Sequence, residues 1–466
     1  MPIFIYNSLS RKKEELIPLN GPQVKMYTCG VTVYDACHIG HARSLYIFDV
    51  IRKYLKYRGF EVKFVRNITD VDDKIINRAN ELKVQWQELV NKYIGKYYED
   101  LEALGIAKGD FEPRATENIA DMIKHIEGLI QKGYAYESSG DVYFNVRKFP
   151  GYGKLSGQSI DQMETAVRIG QSEIKHDPLD FALWKKSKDF EPFWDSPWGR
   201  GRPGWHMECS VMSQKFLKTD TLDIHAGGRD LIFPHHENEI AQSEALTGKQ
   251  FAKYWIHHGL LTINGQKMSK SLGNFVTISD FILKYKNADL LKLFFLFAHY
   301  AHPMDYSDAK IEEARQALQR IGIFMNKAKL VNLGTAESSL KATPEEIGQL
   351  KNKFIASLDD DFNTPEALAC IFELVNLANK NIEKADFVFS AKDILNEMLE
   401  ILGIKLVTVK TDNEISDAEI KSKIQARVTA KKSKDYALAD NIRQELEAQG
   451  VILEDTKDST TWRRKL

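Results

Sequence analysis

The sequence predicts an α/β fold that begins with a parallel β-sheet and continues into a helical last third. The first observation behind this prediction is a strand, a helix and a second strand in succession within residues 24–68. The second is the return of strand and helix patterns after residue 205. The third is a change to amphipathic helical spacing from about residue 308 onward. Strands that alternate with helices normally form parallel sheets, so the first part of the chain is expected to be of the α/β class.

The first strand–helix–strand unit is visible in the residue pattern. Residues 24–31, VKMYTCGV, are typical of a buried strand, and residues 60–68, FEVKFVRNI, alternate apolar and charged side chains. Between them the apolar residues from Leu45 to Leu55 recur at helical spacing, and Gly59 is expected to end the helix. Two strands joined in this way are predicted to lie parallel and adjacent.

The second half of the sheet follows an interruption. Residues 75–133 have a mostly helical pattern, and the breaker-rich stretch 191–205 is typical of a return from an inserted domain. A strand pattern then covers residues 222–228, and a helix is predicted over residues 233–246 with Pro234 at its start. The alternation predicts that these elements extend the same sheet.

The last third of the chain is predicted to be helical. Residues 331–345 have the composition of a linker. Beyond it Asn363, Thr364 and Pro365 predict a helix start, because a capping side chain is followed by proline at the first helical position.

Composition excludes several classes of protein. A hydrophobic share of 43% and a charged share of 28% are those of an ordinary globular chain. The longest apolar run, Leu293–Ala298, is too short to cross a membrane, and the N-terminus lacks the apolar core of a secretory signal. The spacing of the four cysteines fits no disulfide framework, so we expect a reducing, cytoplasmic compartment.

Charge is distributed unevenly. The formal net charge is −1, which lacks the basic excess of many nucleic-acid-binding proteins. Residues 421–434 nevertheless carry six basic side chains and no acidic one, and the chain ends in WRRKL. Such a run is typical either of a solvated helix face or of a nucleic-acid contact.

The segment TCGVTVYDACHIGHARS, residues 28–44, joins the first predicted strand to the first helix. The carboxyl end of a parallel strand and the start of a helix form a crevice that attracts phosphate groups. His38 and His41 are placed there to donate hydrogen bonds to phosphate oxygens, and Gly40 would let a ligand approach the backbone. The alternative is that both histidines are helix-cap donors without a further role.

A basic segment lies 226 residues after His41. The sequence KMSKS places Lys267 and Lys270 between Gly265 and Gly273, so two ammonium groups lie on a segment with flexible ends. Such a loop could close on a polyphosphate and stabilise charge that develops at the α-phosphorus and on the leaving pyrophosphate. Alone it is more often a surface loop, but the two motifs together, in this order and each beside a βα crossover, favour a nucleotide site.

A set of cysteine, histidine and glutamate residues indicates a metal site. Two thiolates, one imidazole and one carboxylate could converge from three βα segments on one ion, and this ligand set suits Zn²⁺. The spacing alone does not rank Cys29 above Cys37, or His235 above His236. The candidate ligands are Cys29, Cys37, Cys209, His225, His235, His236 and Glu239.

The HIGH and KMSKS motifs together resemble those of the class I aminoacyl-tRNA synthetases. The longer segments MYTCGVTVYDACHIGHARS, RNITDVDDKI, GRPGWHMECS, FPHHENEIAQSEA and KMSKSLGNF resemble those of the cysteinyl-tRNA synthetases, and the likeness extends to ILEDTKDSTTWRRK. The resemblance implies a Rossmann-like parallel-sheet catalytic domain with an insertion, an α-helical domain and a small C-terminal anticodon-binding domain. The implied parts are 1–115 with 201–265 (catalytic), 116–200 (inserted), 266–310 (KMSKS loop and stem contact), 311–402 (helical bundle) and 403–466 (anticodon-binding).

The resemblance also assigns roles to individual residues. It implies that cysteine and ATP form cysteinyl-adenylate and that the cysteinyl group passes to the 3′ end of tRNA(Cys). ATP would be bound by His38, Gly40, His41, Lys267 and Lys270 together with Mg²⁺, and the catalytic residues would be the two histidines and two lysines. One zinc ion would be held by Cys29, Cys209, His235 and Glu239, with Cys37 a packed bystander. The amino acid would be bound by Thr69 and Trp205, and Asp230 would hold the ATP ribose or the substrate amine.

Contacts with tRNA are expected in the C-terminal segment, which offers charge, stacking and hydrogen bonds to unstacked bases. Tyr436 stands where the family often has tryptophan, and Ser459 interrupts a stretch that commonly has glycine, so the details of anticodon recognition depart from the family pattern. The implied contact residues are Arg427, Tyr436, Asp440, Trp462, Arg463 and Arg464.

Zinc would explain how cysteine is selected. A hydrophobic pocket separates near-isosteric substrates by only about 1–3 kcal/mol, whereas a metal–thiolate bond has no equivalent in serine or alanine. We therefore expect no editing domain.

Three other functions fit parts of the pattern. A related ligase that joins cysteine to an amino sugar would keep the zinc and both motifs, but it has no use for residues 405–466. A non-catalytic RNA-binding derivative would be free to lose the ATP residues, which are intact. A small nucleotidyltransferase would have no use for the helical third. We expect a monomer, as in the family.

Overall fold

The computed structural model describes residues 2–160, 175–268, 273–331, 343–406, 417–455 and 460–464. Its strands are β1 (Phe4–Asn7), β2 (Lys12–Glu15), β3 (Gln23–Thr32), β4 (Glu61–Thr69), β5 (Ala135–Ser138), β6 (Asp141–Phe144), β7 (Phe181–Lys186), β8 (Gly201–Pro203), β9 (Leu222–Gly228), β10 (Ala252–His258), β11 (Leu261–Ile263), β12 (Gln266–Lys267), β13 (Met304–Tyr306), β14 (Val451–Asp455) and β15 (Thr460–Arg464). Its α-helices are α1 (Ile39–Tyr57), α2 (Asp73–Leu82), α3 (Trp86–Leu104), α4 (Ile119–Gln131), α5 (Trp205–Leu217), α6 (Glu237–Thr247), α7 (Ile278–Tyr285), α8 (Ala288–Leu296), α9 (Asp308–Leu330), α10 (Glu345–Asp359), α11 (Thr364–Lys380), α12 (Ala385–Ile401), α13 (Asp417–Lys432) and α14 (Tyr436–Ala448).

A four-stranded parallel sheet organises the first half of the chain. Its spatial order is β10, β9, β3, β4, and every neighbouring pair is parallel. The chain runs outward from β3 to β4 and, after the interruption, outward in the other direction from β9 to β10. The direction of winding therefore reverses between β3 and β9, and ligands of open α/β sheets bind at the carboxyl ends of strands beside such a reversal.

The predicted elements of this sheet are confirmed, with one shifted boundary. The first unit forms β3, α1 and β4, and the helix ends before Gly59, which adopts a φ of 86° that suits glycine. Phe233 has an extended backbone, and Pro234 follows it in the π-helical turn Ile232–His236, which leads into regular α-helix at Glu237. The predicted helix is therefore present, but its first residues form a wider turn than expected.

The interruption has a sheet of its own, in which β5, β6, β7 and β8 are antiparallel neighbours. Helix α4 packs against both α5 and α6 of the core. In this contact the buried ring of His125 makes a 3.3 Å hydrogen bond through Nε2 to the carbonyl oxygen of Gln242. The two parts of the chain thus share a buried, partly polar boundary.

This boundary is expected to weaken in acid. Burial lowers the pKa of His125 to about 4, whereas an unfolded chain has an ordinary histidine pKa of about 6.5. The unfolded state therefore binds more protons between these values, and stability is lost as the pH falls from about 6.5 toward 4. The difference is worth up to about 3 kcal/mol. Urea unfolding at pH 7.5 and pH 5 measures this effect. The free energy of unfolding should decrease less between the two pH values for His125→Gln than for the unaltered protein. An equal loss in both would contradict this role.

The last third of the chain is mostly helical, as predicted, and it ends in a β14–β15 hairpin that was not predicted. Asn363 caps α11 by accepting a hydrogen bond from the Glu366 N–H, and proline occupies the first turn. Helix α12 returns to the sheet domain, where the hydroxyl of Tyr46 in α1 donates to the Leu402 carbonyl oxygen at 2.6 Å. The last described part packs α13, α14 and the β14–β15 hairpin around a small apolar core. Among the helices of the described residues, none combines the length and apolarity needed to cross a membrane.

Candidate active site and metal centre

Two thiols, an imidazole and a carboxylate meet beside the reversal point of the sheet. Cys29 comes from β3, Cys209 from α5, His235 from the turn before α6, and Glu239 from the first turn of α6. Their ligand atoms all lie within 4.8 Å of one another. The two sulfur atoms are 3.8 Å apart, Cys209 Sγ is 3.6 Å from His235 Nε2, and His235 Nε2 is 2.8 Å from Glu239 Oε1. All but Cys29 are buried.

These four residues fit a zinc ion. Zinc binds cysteine sulfur at about 2.3 Å and histidine nitrogen or carboxylate oxygen at about 2.0–2.2 Å in a tetrahedron, which puts ligand atoms about 3.3–3.8 Å from one another. Most of the distances given above lie in that range. A donor set with two thiols also favours zinc over magnesium or calcium.

The protonation states of the cluster are those expected of groups prepared for a cation. Burial alone would raise the pKa of Glu239, but His225 and His235 hold it well below its usual value. Burial would lower the pKa of His235, yet Glu239 and the Cys209 thiol raise it to about 10. Burial and the neighbouring Cys209 raise the pKa of Cys29. In the metal-free protein protons therefore occupy this cluster, and a divalent cation would displace them.

A second layer of histidines orients the donors. His225 Nε2 donates to Glu239 Oε2 at 2.6 Å, which leaves Oε1 facing the other donors. Nδ1 of His235 lies 2.9 Å from Nδ1 of His206, so its outer nitrogen is bonded while Nε2 points into the cluster. Histidine ligands are commonly held in this way. A second possible donor set, Cys29, His225, His236 and Glu239, shares two members with the first.

His38 and His41 form a reciprocal cap at the start of α1. The backbone N–H of His41 donates to Nδ1 of His38, and the backbone N–H of His38 donates to Nδ1 of His41, each at 3.2 Å. Both Nδ1 atoms are therefore acceptors, so each neutral ring carries its proton on Nε2. Burial lowers the pKa of His38 to about 4 and that of His41 well below its usual value. Near neutral pH both rings are uncharged donors, stacked with centroids 3.8 Å apart.

The two signature motifs are brought together. The backbone N–H of Ile39 donates to the carbonyl oxygen of Val276, and that of Ile278 donates to the carbonyl oxygen of Cys37. A side chain added at Gly40 would approach the Met268 methyl group at 3.6 Å and His38 more closely still. Lys267 lies in β12, and Lys270 lies outside the described residues. The structure thus places Met268 of the KMSKS motif, and the segment around Val276 that follows the motif, close to the first turn of α1.

The predicted amino-acid residues lie around the donor cluster or near the histidine pair. The Thr69 hydroxyl is buried and donates to Glu208 Oε2 at 2.7 Å. The indole of Trp205 stacks on the His235 ring with centroids 3.9 Å apart. Asp230 is exposed, and its charge partly opposes the effect of burial on the pKa of His38. Thr69 and Trp205 are therefore associated with the cluster, and Asp230 with the nucleotide histidines.

Several polar residues of the site were missed by the sequence analysis. The partly buried His206 and the buried Glu208 precede the donor Cys209 in α5, and His257 Nε2 is 2.8 Å from His236 Nδ1. Burial raises the pKa of Glu208 well above its usual value. His206 and Glu208 lie in the segment GRPGWHMECS beside a candidate ligand, but their contacts with the cluster depend on other segments and had no signal there. The same holds for His257 in β10.

The C-terminal candidates occupy different environments. Arg427 is buried and forms two 2.8 Å bonds with the Asp455 carboxylate, so its guanidinium joins α13 to β14. Tyr436 is 63% exposed at the start of α14, and Asp440 is exposed on the same helix. Trp462 packs partly against the small core, and the side chains of Arg463 and Arg464 lie outside the described part. Ser459 also lies outside the described residues.

Two protein families match the chain. The family described as tRNA synthetases class I (C) catalytic domain matches residues 15–316, and the DALR domain matches residues 353–407. The first range contains the whole parallel sheet and the donor cluster, and the second begins in α10 and continues through α11 and α12. The chain is therefore a class I aminoacyl-tRNA synthetase.

Full-length relatives narrow the class to one family. The chain is 50% identical to the cysteine–tRNA ligase of Anoxybacillus flavithermus over 100% of both chains. It is 50% identical to that of Geobacillus thermodenitrificans over 99% of both, and 47% identical to that of Clostridioides difficile over 99% of both. The chain belongs to the cysteine–tRNA ligase family, whose members attach cysteine to tRNA.

Solved structures agree on the fold. The Mycobacterium tuberculosis methionyl-tRNA synthetase in complex with methionyl-adenylate aligns with a TM-score of 0.63 at 16% identity, and the alignment covers 82% of this chain and 90% of that one. This likeness confirms the predicted architecture of an α/β catalytic domain followed by helices.

Proposed function

We propose that the chain ligates L-cysteine to tRNA(Cys) in two steps and that one zinc ion selects the substrate thiol. The observation that carries the proposal is that the four metal donors and the reciprocally capped His38 and His41 lie toward the same edge of the parallel sheet, where β3 and β9 end. A thiol-binding centre and a phosphate-binding helix start are what joining cysteine to an adenylate requires. Cys29, Cys209, His235 and Glu239 would hold the zinc, which would supply a Lewis-acid partner for the substrate sulfur.

In the first step the cysteine carboxylate attacks the α-phosphorus of ATP and pyrophosphate leaves. No general base is required, because the carboxylate is already ionised. His38 and His41 donate Nε2–H hydrogen bonds to phosphate oxygens, and they do so as neutral rings. Lys267 and Lys270 would balance the charge that moves onto the leaving pyrophosphate, and Mg²⁺ bound with ATP would supply further positive charge there. Gly40 leaves room for the nucleotide over the start of α1.

The environment of the amino acid is formed by residues around the donor cluster. Trp205 fixes the orientation of His235 by stacking on it, and Thr69 with Glu208 provides polar contacts at the cluster. Asp230 holds the ribose or the substrate amine from the nucleotide side. Serine offers no thiolate at neutral pH, so the site discriminates by chemistry rather than by size. No editing domain is needed.

In the second step the cysteinyl group passes to the 3′ end of the tRNA, whose anticodon is read by residues 403–466. Exposed Tyr436 and Asp440 offer stacking and hydrogen bonding, and Trp462, Arg463 and Arg464 extend that surface. Arg427 would act by holding β14 in place. The remaining parts are the catalytic halves 1–115 and 201–265, the insertion 116–200, the stem-contact region 266–310 and the bundle 311–402. We place the chain in the cytoplasm as a monomer, where its free cysteines stay reduced.

ATP–pyrophosphate exchange with each of the twenty amino acids, in the absence of tRNA, tests the first step. Exchange is expected with cysteine alone, and serine should be activated at least about a thousandfold less well, because a site built around one polar contact rejects analogues that lack it by large factors. Activation of serine within tenfold of cysteine would overturn the role of zinc in selection. Exchange with no amino acid, from folded and zinc-loaded protein, would overturn the catalytic proposal.

A further inference from the structure

Arg43 is a buried cation with an unusual set of partners. It lies in α1, two residues after His41, and its side chain is fully buried. Nη1 donates to the carbonyl oxygens of Gly259 at 2.8 Å and Leu260 at 3.0 Å. Nη2 donates to those of Tyr300 at 3.1 Å and His302 at 2.6 Å. All four acceptors are neutral, and the described residues give the guanidinium no carboxylate partner.

The four carbonyls belong to two segments that lead directly into one small sheet. Gly259 and Leu260 precede β11, and Tyr300 and His302 precede β13. β11 pairs with β13 on one side and with β12 on the other, and β12 contains Lys267. The Arg43 guanidinium therefore anchors to α1 both chain segments that lead into this sheet. The sheet contains the first residue of the KMSKS motif, and the start of α1 carries the two histidines of the HIGH motif.

The two anchored segments approach each other closely at this point. The backbone N–H of Gly259 donates to the Tyr300 carbonyl oxygen at 2.9 Å. A Cβ at position 259 would lie 2.2 Å from the His302 carbonyl oxygen, so only glycine fits there. Carbonyl oxygens converging in this way repel one another unless a donor lies between them, and the planar fork of arginine meets several acceptors at fixed angles.

Burial of an unpaired cation is costly, which indicates a role beyond packing. Desolvation lowers the pKa of Arg43 to about 10, because the carbonyl dipoles replace water only in part. A neutral side chain of similar length would fill the same space without that cost. It would not, however, hold four carbonyl groups of two segments in a fixed position relative to α1.

We propose that Arg43 is a positioning residue that sets the distance between the phosphate-binding start of α1 and strand β12, which contains Lys267. This inference rests on the proposed adenylation chemistry. It assigns Arg43 no contact with substrate. Its effect passes through the β11–β12–β13 sheet, which fixes the backbone of Lys267 relative to the histidines at the start of α1.

Arg52 offers a matched control on the same helix. It is also buried, and it donates to the Lys108 carbonyl oxygen and to Asp49 Oδ1, each at 2.8 Å. It lies nine residues further along α1, about 13 Å from Arg43 along the axis. The segment that it holds carries none of the site residues. Arg52→Lys should therefore disturb a buried network of α1 without moving the KMSKS sheet.

The test compares Arg43→Lys, Arg43→Gln and Arg52→Lys in cysteine-dependent pyrophosphate exchange. Rates are divided by the concentration of active sites, which is determined from the adenylate burst, and thermal unfolding is measured in parallel. Both Arg43 variants are expected to lower kcat by about 10- to 100-fold with the KM for cysteine within twofold, because a displacement of about 1 Å has effects of that size. Arg52→Lys should lower the melting temperature without lowering the normalised kcat.

A double-mutant cycle with Lys267→Met distinguishes an effect of Arg43 on Lys267 from a purely structural role of Arg43. If Arg43 acts through Lys267, the double variant should lose no more activity than the more impaired single variant. Additive losses, a normalised kcat within twofold of the unaltered protein, or failure of both Arg43 variants to fold would each overturn the inference. Absence of cysteine-dependent exchange in the unaltered protein would instead overturn the proposed function, so the two failures are distinguishable.

Discussion

Replacement of Cys209 by serine is expected to release the metal and to remove cysteine activation. Cys209 lies 3.8 Å from Cys29 and 3.6 Å from His235, so the substitution removes one of the two thiolates from the cluster. Binding of structural zinc is worth about 10–16 kcal/mol over four ligands, hence roughly 3 kcal/mol for each, or about a hundredfold in affinity. The zinc content of purified, dialysed protein should fall from one per chain to near zero. Exchange with cysteine should fall at least in parallel.

Cobalt substitution gives a readout that is independent of activity. Cobalt bound to two protein thiolates has a strong sulfur-to-metal charge-transfer band, and Cys209→Ser should reduce its intensity by about half if any metal is retained. Cys370→Ser is the matched control, since Cys370 is equally buried but lies in α11, among the helices that follow the catalytic domain. Unchanged zinc content and unchanged cobalt spectrum in Cys209→Ser would show that Cys209 is not a ligand.

The parallel sheet and its site loops could be predicted from the sequence because their signals are local. A strand, a helix and a glycine stop were visible in residues 24–59, and β9 was predicted at its observed bounds. The N-cap of α11 was equally visible, because Asn363 and Pro365 each act within one helical turn. The helix at α6 was also predicted, and Phe233 is extended as the residue before a proline usually is; the π-helical turn Ile232–His236 had no signal in the sequence.

The metal cluster required information that spacing does not contain. Cys29 and Cys209 are 180 residues apart in sequence and meet only because β3 and α5 are neighbours in the fold. Cys37 and His236 are as plausible as ligands in the sequence. The resemblance to a family chose between them, and the structure places Cys29, Cys209, His235 and Glu239 together within 4.8 Å. Burial of polar groups such as Glu208 and Arg43 has no sequence signal, because it depends on contacts between distant segments.

Substitution of His41 is expected to be the most damaging change on the nucleotide side. His41→Ala removes a neutral Nε2–H donor from the start of α1, and loss of one such donor to a charge that develops in the transition state typically costs about 10²–10³ in kcat. The KM for cysteine should change little, because His41 has no contact with the donor cluster. Pyrophosphate exchange at saturating ATP measures the effect.

The cap that His41 also forms requires a control. Alanine leaves the His38 N–H without the Nδ1 acceptor that it has at 3.2 Å, so part of the loss could reflect fraying of α1. His41→Asn supplies a side-chain oxygen that can accept this hydrogen bond, but it does not reach as far as Nε2. Asparagine is therefore expected to restore the melting temperature and not kcat. Recovery of activity together with stability would mean that His41 acts only as a cap.

The pH dependence distinguishes a neutral donor from a cation. With the pKa of His38 lowered to about 4 and that of His41 lowered further from its usual value, neither ring gains a proton between pH 6 and pH 8.5. The kcat for exchange should therefore be flat across this range, and its decline in acid should begin only as the pH approaches about 4.5. Imidazolium groups with ordinary values would instead lose their charge as the pH rises through about 6.5, so kcat would fall across neutrality. If kcat is independent of pH over this range, also in Lys267→Met, the neutral Nε2–H groups of His38 and His41 are the donors. A decrease in kcat centred near pH 6.5 would show that burial does not lower the pKa of these two histidines.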